Sequence, residues 1–158
     1  MTTQFIQNWK KVKLGEVASL QNGYAFKSFD FDKVGYPIIK IKGMASGQII
    51  FDENARYSGS IEKLEKFTLK YGDILVSMTG SNISQIKSAV GKITQYRKRD
   101  TALLNQRVGK IYPKAELCDN QFLFYVLSVF QVQEFWAKKA SGAANQANIS
   151  PEIIKSFE

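Results

Sequence analysis

Apolar positions along this chain recur at spacings that switch between the helix and strand periods. Residues 14–20, LGEVASL, carry the spacing of a short amphipathic helix, stopped by Asn22 and Gly23. Residues 37–42, PIIKIK, read as a strand between turns, with Gly43 and Gly47 on either side of Met44 and a second short strand at 48–51. Residues 61–69 place Ile61, Leu64 and Leu69 loosely on one side, and Glu62 stands four residues before Lys66, so the pattern predicts a helix. After a turn at 71–73, the apolar run 74–78 predicts a strand that ends at Thr79, Gly80, Ser81 and Asn82, a loop signal. Residues 90–95 and 107–112 predict two further strands, the second closed by Pro113.

The longest predicted helix covers 121–140. Asp119 or Asn120 can cap its first turn, Lys138 and Lys139 suit the negative end of its dipole, and Gly142 follows it. Its first half, from Phe122 to Leu127, is apolar all round and is expected to be buried between layers. In the second half Gln131, Gln133 and Glu134 face water. Ser150, Pro151 and Glu152 then read as a helix start: a capping hydroxyl, proline at the first position and an acid near the positive end.

Composition narrows the function. A chain of 158 residues with 44% hydrophobic and 23% charged residues suits one ordinary globular domain. The longest apolar stretch, 122–130, falls far short of the roughly 20 residues that span a bilayer, so a cytoplasmic location without membrane contact is expected. The one cysteine, Cys118, cannot form an internal disulfide. With no histidine, the Ser–His and Cys–His nucleophile pairs are excluded and no zinc-ligand set is in view. No two glycines stand two apart, neither Gly-Lys pair is followed by Ser or Thr, and no lysine has an acid two positions before it. These facts exclude the dinucleotide fingerprint, the P-loop and the E-x-K element of restriction-type nucleases. Asp30 and Asp32 could share a cation, though paired acids beside Lys33 are more often a surface turn. A metal-dependent nuclease would have to use Asp30, Asp32 or Asp73.

The net charge of +8 is uneven: residues 61–110 hold 10 Lys/Arg against 4 Asp/Glu, whereas 111–158 hold 4 against 5. Such a basic middle third suggests a polyanionic partner, with a solvated basic face as the alternative. Within it, Tyr96, Arg97, Lys98 and Arg99 set three cations beside an aromatic, suited to neutralising phosphates or to forming a solvated hairpin tip. Asn105, Gln106 and Arg107 carry groups that can hydrogen-bond base edges. In a strand Asn105 and Arg107 would share a face that Gln106 would not, and the amides could instead tie down backbone.

Several segments, in order, resemble the recognition domain of type I restriction–modification specificity subunits. They are WKKVKLGEV from Trp9, NGYAFKS from Asn22, PIIKIK from Pro37 with Gly47, Gln48 and Ile49, GDILVSMTG from Gly72, ALLNQRV from Ala102, and SGAANQANIS from Ser141. The last departs from the family, which often has Ser or Thr where Ala143 and Ala144 stand. The resemblance implies a mixed α/β domain with a strongly curved sheet, packed helices and loops facing DNA. It also implies that such domains read double-stranded DNA, each taking one half of a split sequence. DNA methyltransferase subunits and a restriction endonuclease subunit are then the partners, and S-adenosylmethionine, ATP and Mg belong to those partners rather than to this chain, which would be non-catalytic. The expected organisation is a recognition domain at 1–148, with the conserved spacer helix beginning at 149–158. The DNA-binding residues expected are Lys27, Thr79, Gly80, Ser81, Asn82, Lys87, Arg97, Lys98, Arg99, Asn105, Arg107, Asn145 and Gln146, gathered on one basic face. The alternative is a module that docks a methyltransferase without reading bases.

Overall fold

The computed structural model describes residues 10–44, 47–81, 90–114, 116–142 and 146–158. One four-stranded antiparallel sheet is built from β1 (Ala18–Asn22), β5 (Ile74–Ser77), β7 (Ile93–Gln95) and β9 (Val108–Pro113), in the order β1-β9-β5-β7. A second comprises β2 (Tyr36–Ile39), β3 (Arg56–Tyr57), β4 (Thr68–Leu69) and β8 (Ala102–Leu104), in the order β3-β2-β8-β4, with β2 and β8 parallel. A two-stranded ladder pairs β6 (Thr79–Gly80) with β10 (Ala147–Asn148). The helices are α1 (Leu14–Val17), α2 (Asn120–Leu127), α3 (Phe130–Lys139) and α4 (Pro151–Lys155). The architecture is mixed α/β.

Strand alternation makes the first sheet the partition between two cores. Ile74 and Val76 of β5 pack with Leu123, Leu127, Val132, Trp136 and Ile154 on the helical side. Between them Leu75 points the other way and joins Tyr96, Val108, Leu103, Ile38 and Phe26. Trp136 is fully buried, and its indole N–H donates to the Ile154 carbonyl at 3.3 Å. Ile149 and Ile154 lie in this same core, so residues 149–158 pack as part of the domain.

Several predicted elements come out differently. Of 14–20, only Leu14–Val17 is helical. Seven residues make a marginal helix, whereas residues 18–22 gain a complete ladder against β9. The strand begun at Pro37 stops at Ile39 and turns into a 3-10 helix, Ile41–Met44. Residues 48–51 form no strand, although Ile49 is buried in the second core. The helix expected at 61–69 is a 3-10 turn, Glu62–Phe67, running into β4. The strand expected at 90–95 is shorter, and β8 comes out as a separate strand ahead of β9.

The helix expected at 121–140 is two helices. Ser128 breaks it: its hydroxyl donates to the Phe124 carbonyl at 2.6 Å, and Val129 is extended. α2 buries only Leu123 and Leu127, on its i,i+4 stripe, while Phe122, Tyr125 and Val126 are exposed, so it is not enclosed between layers.

Candidate nucleic-acid interface

Four segments meet at the C-terminal end of β5. Asn105 to Val108 form a four-residue turn between the two sheets: the Val108 N–H donates to the Asn105 carbonyl at 2.9 Å. Asn105 is 8% exposed, and its side-chain oxygen accepts from the Arg107 N–H at 3.5 Å, the local pattern that suits Asn to the first turn position. Gln106 and Arg107 occupy the two central positions, and both side chains are exposed.

Three other segments are hydrogen-bonded to this turn or to its neighbours. The Met78 N–H donates to the Arg107 carbonyl at 3.0 Å, and the Ile149 N–H to the Met78 carbonyl at 2.9 Å. One residue on, Thr79 and Gly80 pair with Asn148 and Ala147. On the other flank the Tyr24 N–H donates to Leu104 at 2.8 Å, and the Gln106 N–H donates to Tyr24 at 2.9 Å. That approach requires Gly23, because a Cβ there would stand 2.1 Å from the Asn105 carbonyl oxygen. Lys27 follows on this segment, exposed, its backbone N–H held by the Asp30 carboxylate at 2.7 Å. Residues 22–27, 78–81, 105–107 and 146–149, far apart in sequence, therefore form one edge.

The structure sorts the predicted residues. Lys27, Gly80, Ser81, Arg107 and Gln146 lie on the segments that make this edge. Thr79 does too, but it is 6% exposed and sits in the ladder. Asn105 does not share an exposed face with Arg107 as the strand reading required. It is enclosed, and its visible role is to shape the turn. Gln106, which sequence reasoning set apart, is exposed beside Arg107; reading NQR as a turn headed by Asn would have found it. Asn82, Lys87 and Asn145 lie outside the described residues.

Arg97, Lys98 and Arg99 are elsewhere, so the single basic face expected from the sequence divides. Gln95 pairs with Ile74 at the start of β5, whereas Val108 pairs with Ser77 at its end, three steps or about 10 Å away, and the 97–99 loop extends further outward. The loop is held in place. The Arg97 Nε–H donates to the Gln95 side chain at 3.1 Å, the guanidinium lies 5.7 Å from the Phe124 ring centre, and the Tyr96 hydroxyl donates to the Asp100 carbonyl at 2.6 Å. Burial pushes the Tyr96 phenol up to about 12. None of Lys27, Arg97, Lys98, Arg99 and Arg107 is in an ion pair among the described residues, which leaves these cations available to an external anion.

The acids considered for a cation are held separately. The Asp30 carboxylate takes the Lys27 amide, Asp32 takes the Lys33 amide, and Asp73 pairs with Lys110 at 3.4 Å. A hydrogen bond from Ser58, then the Lys33 amide, keeps Asp32 below its usual value. Among the described residues no cluster of three or more His, Cys, Asp or Glu could hold a metal, and no helix is long and apolar enough to cross a membrane.

The chain is thus a mixed α/β scaffold that presents polar turn residues on one hydrogen-bonded edge. The chain belongs to the type I restriction modification DNA specificity domain family, whose model matches residues 6–158. It is 32% identical over 137 residues to the MjaVIII specificity subunit of Methanocaldococcus jannaschii, covering 85% of this chain and 30% of that protein. It is 30% identical over 122 residues to the EcoBI specificity subunit of Escherichia coli, covering 76% of this chain and 22% of that one. In fold it is similar to the type I restriction-modification S subunit from M. genitalium (TM-score 0.66, 19% identity) and the HsdS subunit from Thermoanaerobacter tengcongensis (TM-score 0.64, 16% identity). Each of those matches covers 99% of this chain, but only 35% and 34% of the respective structures. The chain thus spans about a third or less of these relatives. Its kinship is with specificity subunits, the non-catalytic components of type I restriction–modification enzymes.

Proposed function

We propose that this chain binds double-stranded DNA and reads one half of a bipartite target for a type I restriction–modification complex. The supporting observation is the edge on which Gln106 and Arg107 project from a turn tied on both flanks. Arg can hydrogen-bond guanine O6 and N7 together, and Gln can do the same with adenine N6 and N7. Lys27 and the polar groups of Gly80, Ser81 and Gln146 flank them, suited to phosphate oxygens that fix register. Methyltransferase subunits, and an endonuclease subunit, would supply the chemistry with their own S-adenosylmethionine, ATP and Mg.

Selection from random duplex DNA, with the chain bound to its methyltransferase partner, tests this directly. A short consensus is expected, and Arg107→Ala should relax it at one position at a cost of about 1–3 kcal/mol of discrimination. A consensus unaltered by Arg107→Ala and Gln106→Ala would refute the edge as the reader. The second reading, a module that docks a methyltransferase without base contacts, draws support from the exposed Phe122, Tyr125 and Val126 of α2. Absence of any consensus, together with intact methyltransferase binding, would favour it.

A further inference from the structure

A second site lies at the opposite end of the first sheet. Where β7 ends, a cleft of about 440 Å³ is lined by Gly47, Gln48, Ile49, Gln95, Arg97, Lys98 and Phe124. Arg97 and Lys98 both line this cleft but lean on different rings, Phe124 and Phe51, instead of lying side by side. Arg97 turns toward α2 and Lys98 toward the second core's flank, where its Nζ is 5.8 Å from the Phe51 ring centre. Both cations rest against aromatic rings at distances that hold them electrostatically, and so are partly pre-positioned rather than free to sweep the solvent. No carboxylate appears among the described lining residues. Arg97 is oriented by Gln95, whose own amide donates to the Gly72 carbonyl at 3.2 Å and to the Gln121 side chain at 3.3 Å.

We propose that this cleft is a sequence-independent seat for a phosphodiester group of a nucleic-acid strand, separate from the Gln106–Arg107 edge. Two partly pre-positioned cations lining an open cleft with no carboxylate among its described lining residues suit a diester whose strand enters and leaves, and the guanidinium supplies a planar donor pair for its oxygens. The inference rests on the reading of the chain as a DNA binder, but it assigns to this end of the domain affinity without selectivity.

The test measures binding of the whole chain to a duplex of arbitrary sequence across a salt series. Arg97→Ala/Lys98→Ala is expected to weaken binding at low salt about ten-fold. It should flatten the plot of log affinity against log salt by about 0.9 for each phosphate lost. The sequence preference found by selection should stay as it was. Lys138→Ala/Lys139→Ala removes the same charge from the end of α3 and should leave the slope nearly unchanged. Arg97→Lys should recover most of the slope, and thermal melting checks that each variant is folded. An unchanged slope in the double variant, or an equal change in the Lys138/Lys139 control, overturns the proposal. So does saturable binding of inorganic phosphate at Gln95 and Arg97, followed by NMR, without any effect on duplex binding, since that would make the cleft a site for free anions. Failure of the reading edge would look different: no sequence preference, whatever the slope.

Discussion

Gly23→Ala should damage the seam that brings the 22–27 segment against the Asn105–Val108 turn. The new methyl would stand 2.1 Å from the Asn105 carbonyl oxygen and 2.6 Å from that of Leu104, and neither backbone atom can swing aside as a side-chain tip can. Relief requires the seam to open, at the expense of the Gly23–Val108 bond at 3.2 Å, Tyr24–Leu104 at 2.8 Å and Gln106–Tyr24 at 2.9 Å. Net losses of about 1 kcal/mol per hydrogen bond, or an overpacking strain of about 1–3 kcal/mol if the bonds are kept, converge on roughly 3 kcal/mol. With a urea slope of about 2 kcal/mol/M, the unfolding midpoint should fall by about 1.5 M at constant slope. Gly47→Ala is the comparison. Gly47 has φ +79° but no atom of the described residues within 4 Å of its new methyl, so the left-handed backbone penalty of about 1–2 kcal/mol applies. A midpoint for Gly23→Ala no lower than that for Gly47→Ala would refute close approach as the reason for this glycine.

Ile154→Ala should cost about 2–5 kcal/mol in chemical denaturation, because Ile154 is fully buried in the helical core beneath Trp136; a loss below about 1 kcal/mol would show that 151–155 is not part of that core. Tyr96 links stability to alkaline pH. Its folded value is raised above the ordinary 10.0 to about 12, so its contribution is complete below pH 10 and is lost as pH rises from 10 toward 12. Tyr96→Phe should remove that part of the alkaline decline, read as thermal midpoint against pH, while costing about 1 kcal/mol at neutral pH for the lost bond to Asp100. Asp52 is held below 3.8 chiefly by the hydrogen bond from Lys40, at 2.8 Å, and then by the Asn54 amide. An NMR titration should place its midpoint below that value, and Lys40→Ala should move it upward.

Apolar periodicity made the buried strand at 74–77, the paired strand from 108 and the helical stretch near the C-terminus legible, because each carries its own local signal. It failed where long-range pairing decided the outcome. Residues 18–20 fall in the helical pattern of 14–20 yet belong to β1, paired with β9, and no local pattern reveals a partner about ninety residues away. The break at Ser128 escaped notice because a serine inside an apolar run looks neutral until its hydroxyl bonds backward to Phe124. The family resemblance located the segments of the candidate edge, since Asn22, Gly23 and the NQR stretch are parts of it. It could not separate Arg97, Lys98 and Arg99 from them, because charge density along a sequence says nothing about which end of a strand a loop occupies.

On the proposed function, the turn geometry also separates reading from folding. Two neighbouring side chains in a strand diverge to opposite faces, so at most one of Gln106 and Arg107 could face a groove there. At the two central positions of a turn both project outward, while Asn105 and Val108 on either side are buried and fix the backbone. Gln106 and Arg107 contribute only backbone atoms to the support: the Gln106 N–H to Tyr24, the Arg107 carbonyl to Met78, and the Arg107 N–H to Asn105. Replacing both side chains by any pair other than Gly or Pro should therefore leave the unfolding free energy within about 0.5 kcal/mol, the usual range for surface changes. Changing Asn105 to Ala should cost about 1 kcal/mol or more through the lost turn bond. If a Gln106/Arg107 library instead showed stability losses of the Asn105 size, the side chains would be structural, and the edge could not vary its specificity without losing its fold.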